Sequence, residues 1–287
     1  MTKTLSAVPE LAPLYAKAAV GMAKKRPNST ELRTPALAVN GAAVPRERDE
    51  QFRRLVGAPL SDNAFFGHVH SLIMPLQLEL MAADDFPLPM MGLVHTDNTY
   101  RQLADVPVDS TVDLEVRVSG FREHRAGTEV LLDATVKAAG TDTVLVEERS
   151  VYLAKGRRLK DVLPAEGGQR EKFRVPTPTA QWRLSGDTGR KWAAISGDWN
   201  PIHITGLTAK ALGMPAAIAH GMYTASRALA EADVTGPFEF TISFAAPVVL
   251  PATVQLAITD CAEGREIVAW HGKKKRPHFT GAVHRID

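Results

Sequence analysis

Residues 65–81 read Phe65-Phe-Gly-His-Val-His-Ser-Leu-Ile-Met-Pro-Leu-Gln-Leu-Glu-Leu-Met81. Phe65, Phe66, Leu72, Ile73, Leu76, Leu78 and Leu80 fall on most faces of a helix, so a helix here must be buried almost all round. The following residues supply a cover. Segments 94–103, 111–120, 128–138 and 143–153 read as strands separated by Gly, Pro and Asp, and the third alternates at Val130, Leu132, Ala134 and Val136. One apolar helix followed by antiparallel strands implies an α+β unit in which a sheet wraps the helix.

The second half repeats that order. A short helix is predicted over 187–195, with Ser185 or Asp187 to cap it, then an amphipathic piece over 206–212 and a second apolar helix over 219–232. Phe238, Phe240, Ile242 and Phe244 alternate as a strand; Val254, Leu256 and Ile258 mark the next, and 266–273 the one after. Residues 98–113 (Asn-Thr-Tyr-Arg-Gln-Leu-Ala-Asp-Val-Pro-Val-Asp-Ser-Thr-Val-Asp) align with 240–255 (Phe-Thr-Ile-Ser-Phe-Ala-Ala-Pro-Val-Val-Leu-Pro-Ala-Thr-Val-Gln) at an offset of 142. Identities are few, but the order strand, Pro-containing turn, strand is shared. An internal duplication follows, and two such units side by side can join edge strands into one continuous sheet.

The expected boundaries are an N-terminal extension over 1–45, a first unit over 46–154, a charged, Gly-rich linker over 155–172 and a second unit over 173–287. Within the extension Leu11, Leu14, Tyr15, Ala18 and Ala19 recur at helical spacing, for a helix packed on the body or turned to a membrane or partner. Residues 46–55 read as a further short helix.

Chemistry concentrates in Ser196-Gly-Asp-Trp-Asn-Pro-Ile-His203. On an ideal helix Asp198 and His203 would stand roughly 140° apart. Pro201 opposes a helix, because it lacks an N–H and pushes Asn200 towards an extended conformation. Gly197 and Asn200-Pro201 read instead as a tight turn that aims both side chains at one point. Such a pair is either a hydrogen-bonded cap or an acid/base pair on one water. The corresponding part of the first half, 56–65, has no such pair.

Trp192-Ala-Ala-Ile-Ser-Gly-Asp-Trp-Asn-Pro-Ile-His203, together with Ile218-Ala-His-Gly-Met222, resembles the two signature elements of the MaoC-like, hydratase-2 group of hot-dog enzymes. The resemblance covers about 173–260 well and the first half only as a degenerate hot dog; Trp192 stands where that family usually has Tyr or Phe. It implies a double hot dog that hydrates trans-2-enoyl thioesters or dehydrates (R)-3-hydroxyacyl thioesters in fatty-acid metabolism, with Asp198 and His203 holding the water. Such chemistry also needs a donor for an enolate-like oxygen. Gly221 begins the second apolar helix, where N–H groups are unpaired and the dipole favours negative charge. Asn200 and Ser196 are grouped with Gly221 as substrate-binding or supporting residues, and His220 as a structural neighbour. His68 and His70, near the start of the first apolar helix, read as packing or solvent contacts. The run Lys273-Lys274-Lys275-Arg276 is either a solvated strand end or a contact for the phosphates of coenzyme A or an acidic acyl carrier protein. Rival readings are a hot-dog acyl-thioesterase and a non-catalytic acyl-thioester-binding subunit.

Composition sets the outer limits. With 287 residues, 45% hydrophobic and 23% charged, the chain has material for a sizeable core. A net charge of +2 is too small to argue for nucleic acid. One cysteine, Cys261, excludes an intrachain disulfide framework and fits a reducing compartment. No apolar run reaches a membrane span's length of about 20 residues. Pro9, Glu10, Pro13 and Lys17 interrupt what would be a signal peptide, so the expectation is a cytoplasmic protein. Short His or Cys spacings are missing, so no metal and no cofactor is expected. The duplicated chain is expected to be a monomeric pseudo-dimer or a homodimer.

Overall fold

The computed structural model describes residues 2–21, 26–165 and 173–286. In chain order the elements are β1 (Thr2–Leu5), α1 (Leu11–Gly21), β2 (Ala36–Val44), α2 (Arg46–Val56), α3 (Phe66–Met81), β3 (Leu93–Gln102), β4 (Ser110–His124), β5 (Gly127–Ala138) and β6 (Val144–Lys155). The second half supplies β7 (Ala180–Leu184), α4 (Thr188–Ser196), a 3-10 turn (Pro201–His203), α5 (Gly206–Ala211), α6 (Gly221–Ala232), β8 (Phe238–Phe244), β9 (Ala252–Cys261), β10 (Gly264–His271) and β11 (Arg276–Arg285). As the apolar run requires, α3 is buried along nearly its whole length.

All the strands form one 11-stranded sheet in the order β1-β2-β4-β5-β6-β3-β8-β11-β10-β9-β7. Set β1 aside and the order reads alike from both edges, five strands from each half. The halves join where β3 pairs antiparallel with β8. At that seam Thr99 lies opposite Thr241, its own counterpart at the 142-residue offset, so a pseudo-two-fold axis passes through the pair. The lead-in to each central helix repeats as well. Ala64 N–H donates to Val106 O at 2.7 Å, and Ala219 N–H to Val248 O at 2.9 Å. Val108 N–H donates to Asp62 O, and Leu250 N–H to Ala217 O. This is the double hot dog the sequence led us to expect, with one apolar core running through both halves.

Two expectations need correction. The span 1–45 is not simply an extension, because β2 pairs with β4 and carries β1 as a parallel neighbour. Ala36, Leu37, Val39, Ala42 and Val44 are buried, so this segment supplies the first half's outer strand. Ser196, grouped with the substrate-binding residues, is buried and its hydroxyl closes a turn, as described below. Two strands also escaped the sequence. The first, β7, is a short edge strand with Arg183 exposed, and β11 begins Arg-Pro-His and contains Gly281, which masks its alternation. Of the expected linker, 166–172 lie outside the described residues, while Leu163 bridges to Arg122 of β4. Among the described residues no helix is long and apolar enough to cross a membrane.

Candidate active site

Helix α4 stops at Gly197, which takes φ 79° in the left-handed region where glycine carries no penalty. The chain then turns on side-chain caps. Ser196 Oγ accepts from Asp198 N–H at 3.2 Å, Asp198 Oδ1 from Asn200 N–H at 3.2 Å, and Asn200 Oδ1 from Ile202 N–H at 3.3 Å. Asn200 therefore both orients Asp198 and caps the 3-10 turn that ends at His203. Two outside contacts hold the turn in place. Gly189 lets α4 touch it, since a Cβ there would stand 2.1 Å from His203 O. Arg48 of α2 donates Nε–H to Ile195 O at 3.1 Å, placing a cation on the last carbonyls of α4.

The turn brings Asp198 and His203 together, as the sequence suggested, and adds His220. One ligand-capable atom from each lies within 4.8 Å of the others. The His203 and His220 rings stack with centroids 3.6 Å apart, and His220 Nε2 lies 2.9 Å from Asp198 O and 3.6 Å from Asp198 Oδ2. Because His203 Nδ1 sits 2.9 Å from Ile218 O, its proton is on that nitrogen and Nε2 carries a lone pair. The separations would suit a metal ion. His203 Nδ1 and His220 Nε2 are each engaged by a main-chain carbonyl, which leaves the other ring nitrogen of each for a ligand or a proton.

Burial pushes the Asp198 carboxyl up, but His220, His203, a tyrosine hydroxyl and Asn200 N–H outweigh it and hold it below the usual carboxylate range. Burial lowers His203 despite the Asp198 charge, and brings His220 down to about 3 with help from His203. The set therefore holds one carboxylate and two neutral imidazoles at neutral pH.

Gly221 follows His220 directly and opens α6. Its N–H has no hydrogen-bond partner among the described residues, and a Cβ there would meet the Phe244 ring at 3.1 Å. Trp192, in the aromatic position of the motif, is buried edge-on to Phe52 and Tyr223. Lys273, Lys274, Lys275 and Arg276 are exposed where β10 turns into β11.

Sequence reasoning missed Tyr15, whose hydroxyl donates to Asp198 Oδ1 from α1. It appeared only as one position on an apolar helical face, and nothing local announces a partner 183 residues away. A buried polar cluster was missed too. Glu148 Oε1 lies 2.8 Å from His70 Nδ1 and accepts from Asn98 Nδ2 and Ser150 Oγ, and Tyr152 and Gln77 extend the chain of bonds. His68, by contrast, is buried beside Asp49, the packing contact expected for it.

The chain is similar to known proteins in sequence and in fold. A family model described as MaoC like domain matches residues 165–275. A 3-hydroxyacyl-thioester dehydratase X of Mycobacterium tuberculosis is 29% identical over 269 residues, 93% of this chain and 95% of that protein. A crystal structure of HtdX from the same organism superposes with a TM-score of 0.75 at 30% identity, covering 87% of this chain and 99% of that one. A MaoC-like dehydratase from Phytophthora capsici shares the fold at a TM-score of 0.70 and 16% identity, over 89% of this chain and 97% of its own.

Proposed function

The chain belongs to the MaoC-like dehydratase family, and on that premise we propose that it interconverts 3-hydroxyacyl and trans-2-enoyl thioesters in fatty-acid metabolism, using Asp198 and His203. The observation that carries the reading is the convergence of a carboxylate and a neutral imidazole Nε2 beside an unpaired helix-start N–H. Two acceptors facing one point can take both protons of a single water. In hydration that water adds its oxygen to Cβ while one of its protons passes through the pair to Cα. In dehydration a base of the pair removes the Cα proton and returns it to the departing hydroxyl, which leaves as water. Negative charge gathers on the thioester oxygen in either direction, and the position of Gly221 at the positive end of α6 supports its N–H as the donor. No further reactant is needed.

The finer assignments belong to the same proposal: the (R) configuration, carriage on coenzyme A or an acyl carrier protein, and a first half that stands where a second copy would stand in a dimer of single hot dogs. The assay is purified protein with crotonyl-CoA and longer enoyl-CoAs, reading loss of enoyl absorbance and any free thiol. Absorbance should fall with no thiol release, which separates this activity from a thioesterase. Asp198→Asn and His203→Ala should each lower kcat by roughly 10²–10⁴-fold with melting unchanged. Wild-type rates in both variants would remove the proposal.

A further inference from the structure

We propose that Tyr15 is a positioning residue for Asp198: its hydroxyl, brought in by the N-terminal helix, holds Oδ1 and leaves Oδ2 to exchange protons with substrate. The inference rests on the reading of Asp198 as base. Oδ1 accepts from the Tyr15 hydroxyl and from Asn200 N–H, which together occupy its lone pairs. Among the described residues Oδ2 has only His220 Nε2, at 3.6 Å, and that nitrogen is already 2.9 Å from the Asp198 main-chain oxygen. Only Oδ2 is therefore free for a water or a substrate proton.

The contact is built into the fold. Leu11, Leu14 and Ala18 bury one face of α1, which packs on α3. Leu11 Cδ1 comes within 3.3 Å of where a Cβ on Gly197 would stand, so the helix presses on the catalytic turn itself. Burial, followed by the Asp198 charge, raises the Tyr15 phenol well above 10, and the group stays a donor throughout the working range. All of α1 lies outside residues 165–275, so this donor comes from beyond the matched domain.

The groups facing the Asp198 carboxylate are His220 and His203 from its own half and Tyr15 from α1, with His95 and Tyr152 of the first half within reach of its charge. Removing the hydroxyl takes a donor from the ionised form, so the Asp198 pKa must rise. A hydrogen bond to a charged group corresponds to about 1–2 pH units.

The test is Tyr15→Phe against wild type with crotonyl-CoA across a pH series, with melting temperatures alongside. The acid limb of kcat/KM should move up by about 1–2 units, with KM nearly unchanged and the high-pH plateau close to wild type. An unmoved limb overturns the proposal. So does a kcat/KM that rises at every pH, which would make the hydroxyl a plug on the site. Asp198→Asn in the same assay separates the two levels. Full activity there sinks the reading of Asp198 as base, whereas an inactive Asp198→Asn with an unmoved Tyr15→Phe limb sinks this inference alone.

Discussion

Helices α2 and α4 both end at a glycine in the left-handed region, Gly57 at φ 80° and Gly197 at φ 79°. The next residue is Ala58 in the first half and Asp198 in the second. The central helices then begin at matched places, but with Phe66 in one and Gly221 in the other. Phe66 turns its ring into the seam, edge-on to Tyr100 at 4.9 Å and Phe240 at 5.5 Å, where the other half has a glycine with the Phe244 ring close by. The same backbone frame thus carries the Asp198–His203–His220 cluster in one half and packing in the other, with one difference just past a helix end and another at a helix start. Fold and function are separable here at single positions.

The contrast at the helix starts can be broken directly. Gly221→Ala sets a Cβ 3.1 Å from the Phe244 ring, so the ring or the helix start must shift. Moving the N–H off the thioester oxygen should lower kcat by roughly 10²-fold, in line with the loss of an oxyanion donor, with a smaller change in KM. Steady-state kinetics on one enoyl-CoA checks this. A wild-type kcat would mean that the oxyanion is met elsewhere.

Asp49 in the first half and Asp198 in the second also invite comparison, and a second variant sharpens what each is for. Asp49 of α2 is 1% exposed on its side chain, pairs with Arg53 Nε at 2.6 Å and accepts Phe65 N–H at 2.6 Å, just before α3 begins. Burial pushes this carboxyl up, but His68, Phe65 N–H and Arg53 bring it below the usual range. Its stabilisation is therefore present above the unfolded-state value near 3.9 and is lost as pH falls through the lower folded value. Asp49→Ala leaves the Arg53 charge buried and unpaired and should cost about 3–5 kcal/mol in denaturant unfolding at neutral pH. Activity of the folded fraction should stay within a few-fold. In the second half the pattern reverses, with Asp198→Asn costing activity and little stability.

Much of this was legible in the residues. The all-round apolar face of 65–81 and the alternation of 128–138 and 238–244 are period signals that packing reinforces, and those elements stand where they were expected. The 142-residue register was carried by few identities, yet Thr99 and Thr241 meet at the seam. The Asp198–His203 turn was readable because Gly197, Asn200 and Pro201 act locally. What stayed hidden depends on long-range contact. Tyr15 reaches across the fold, β2 looks like an Ala-rich tail until β4 pairs with it, and the His70–Glu148 cluster lies on a helix and strand far apart in sequence. No local pattern encodes such meetings.

The smallest expected effect concerns the basic turn. His278, two residues beyond Arg276, has its Nδ1 3.0 Å from Ala246 O, and Ala245 N–H returns a bond to His278 O. Two residues on from Ala246, Val248 O accepts Ala219 N–H, just before His220 and Gly221. The turn therefore lies at the same end of the sheet as the start of α6. Exposed cations there act through solvent, at about 1 kcal/mol or less each. Replacing Lys273, Lys274 and Arg276 together with Ala should raise KM for an acyl-CoA by roughly 3–10-fold and leave kcat unchanged. Added salt should shrink the difference between variant and wild type, because screening weakens the wild-type attraction first. A KM equal to wild type at low salt, on both coenzyme A and acyl carrier protein thioesters, would return this run to a solvated strand end and confine recognition to the groups around Asp198.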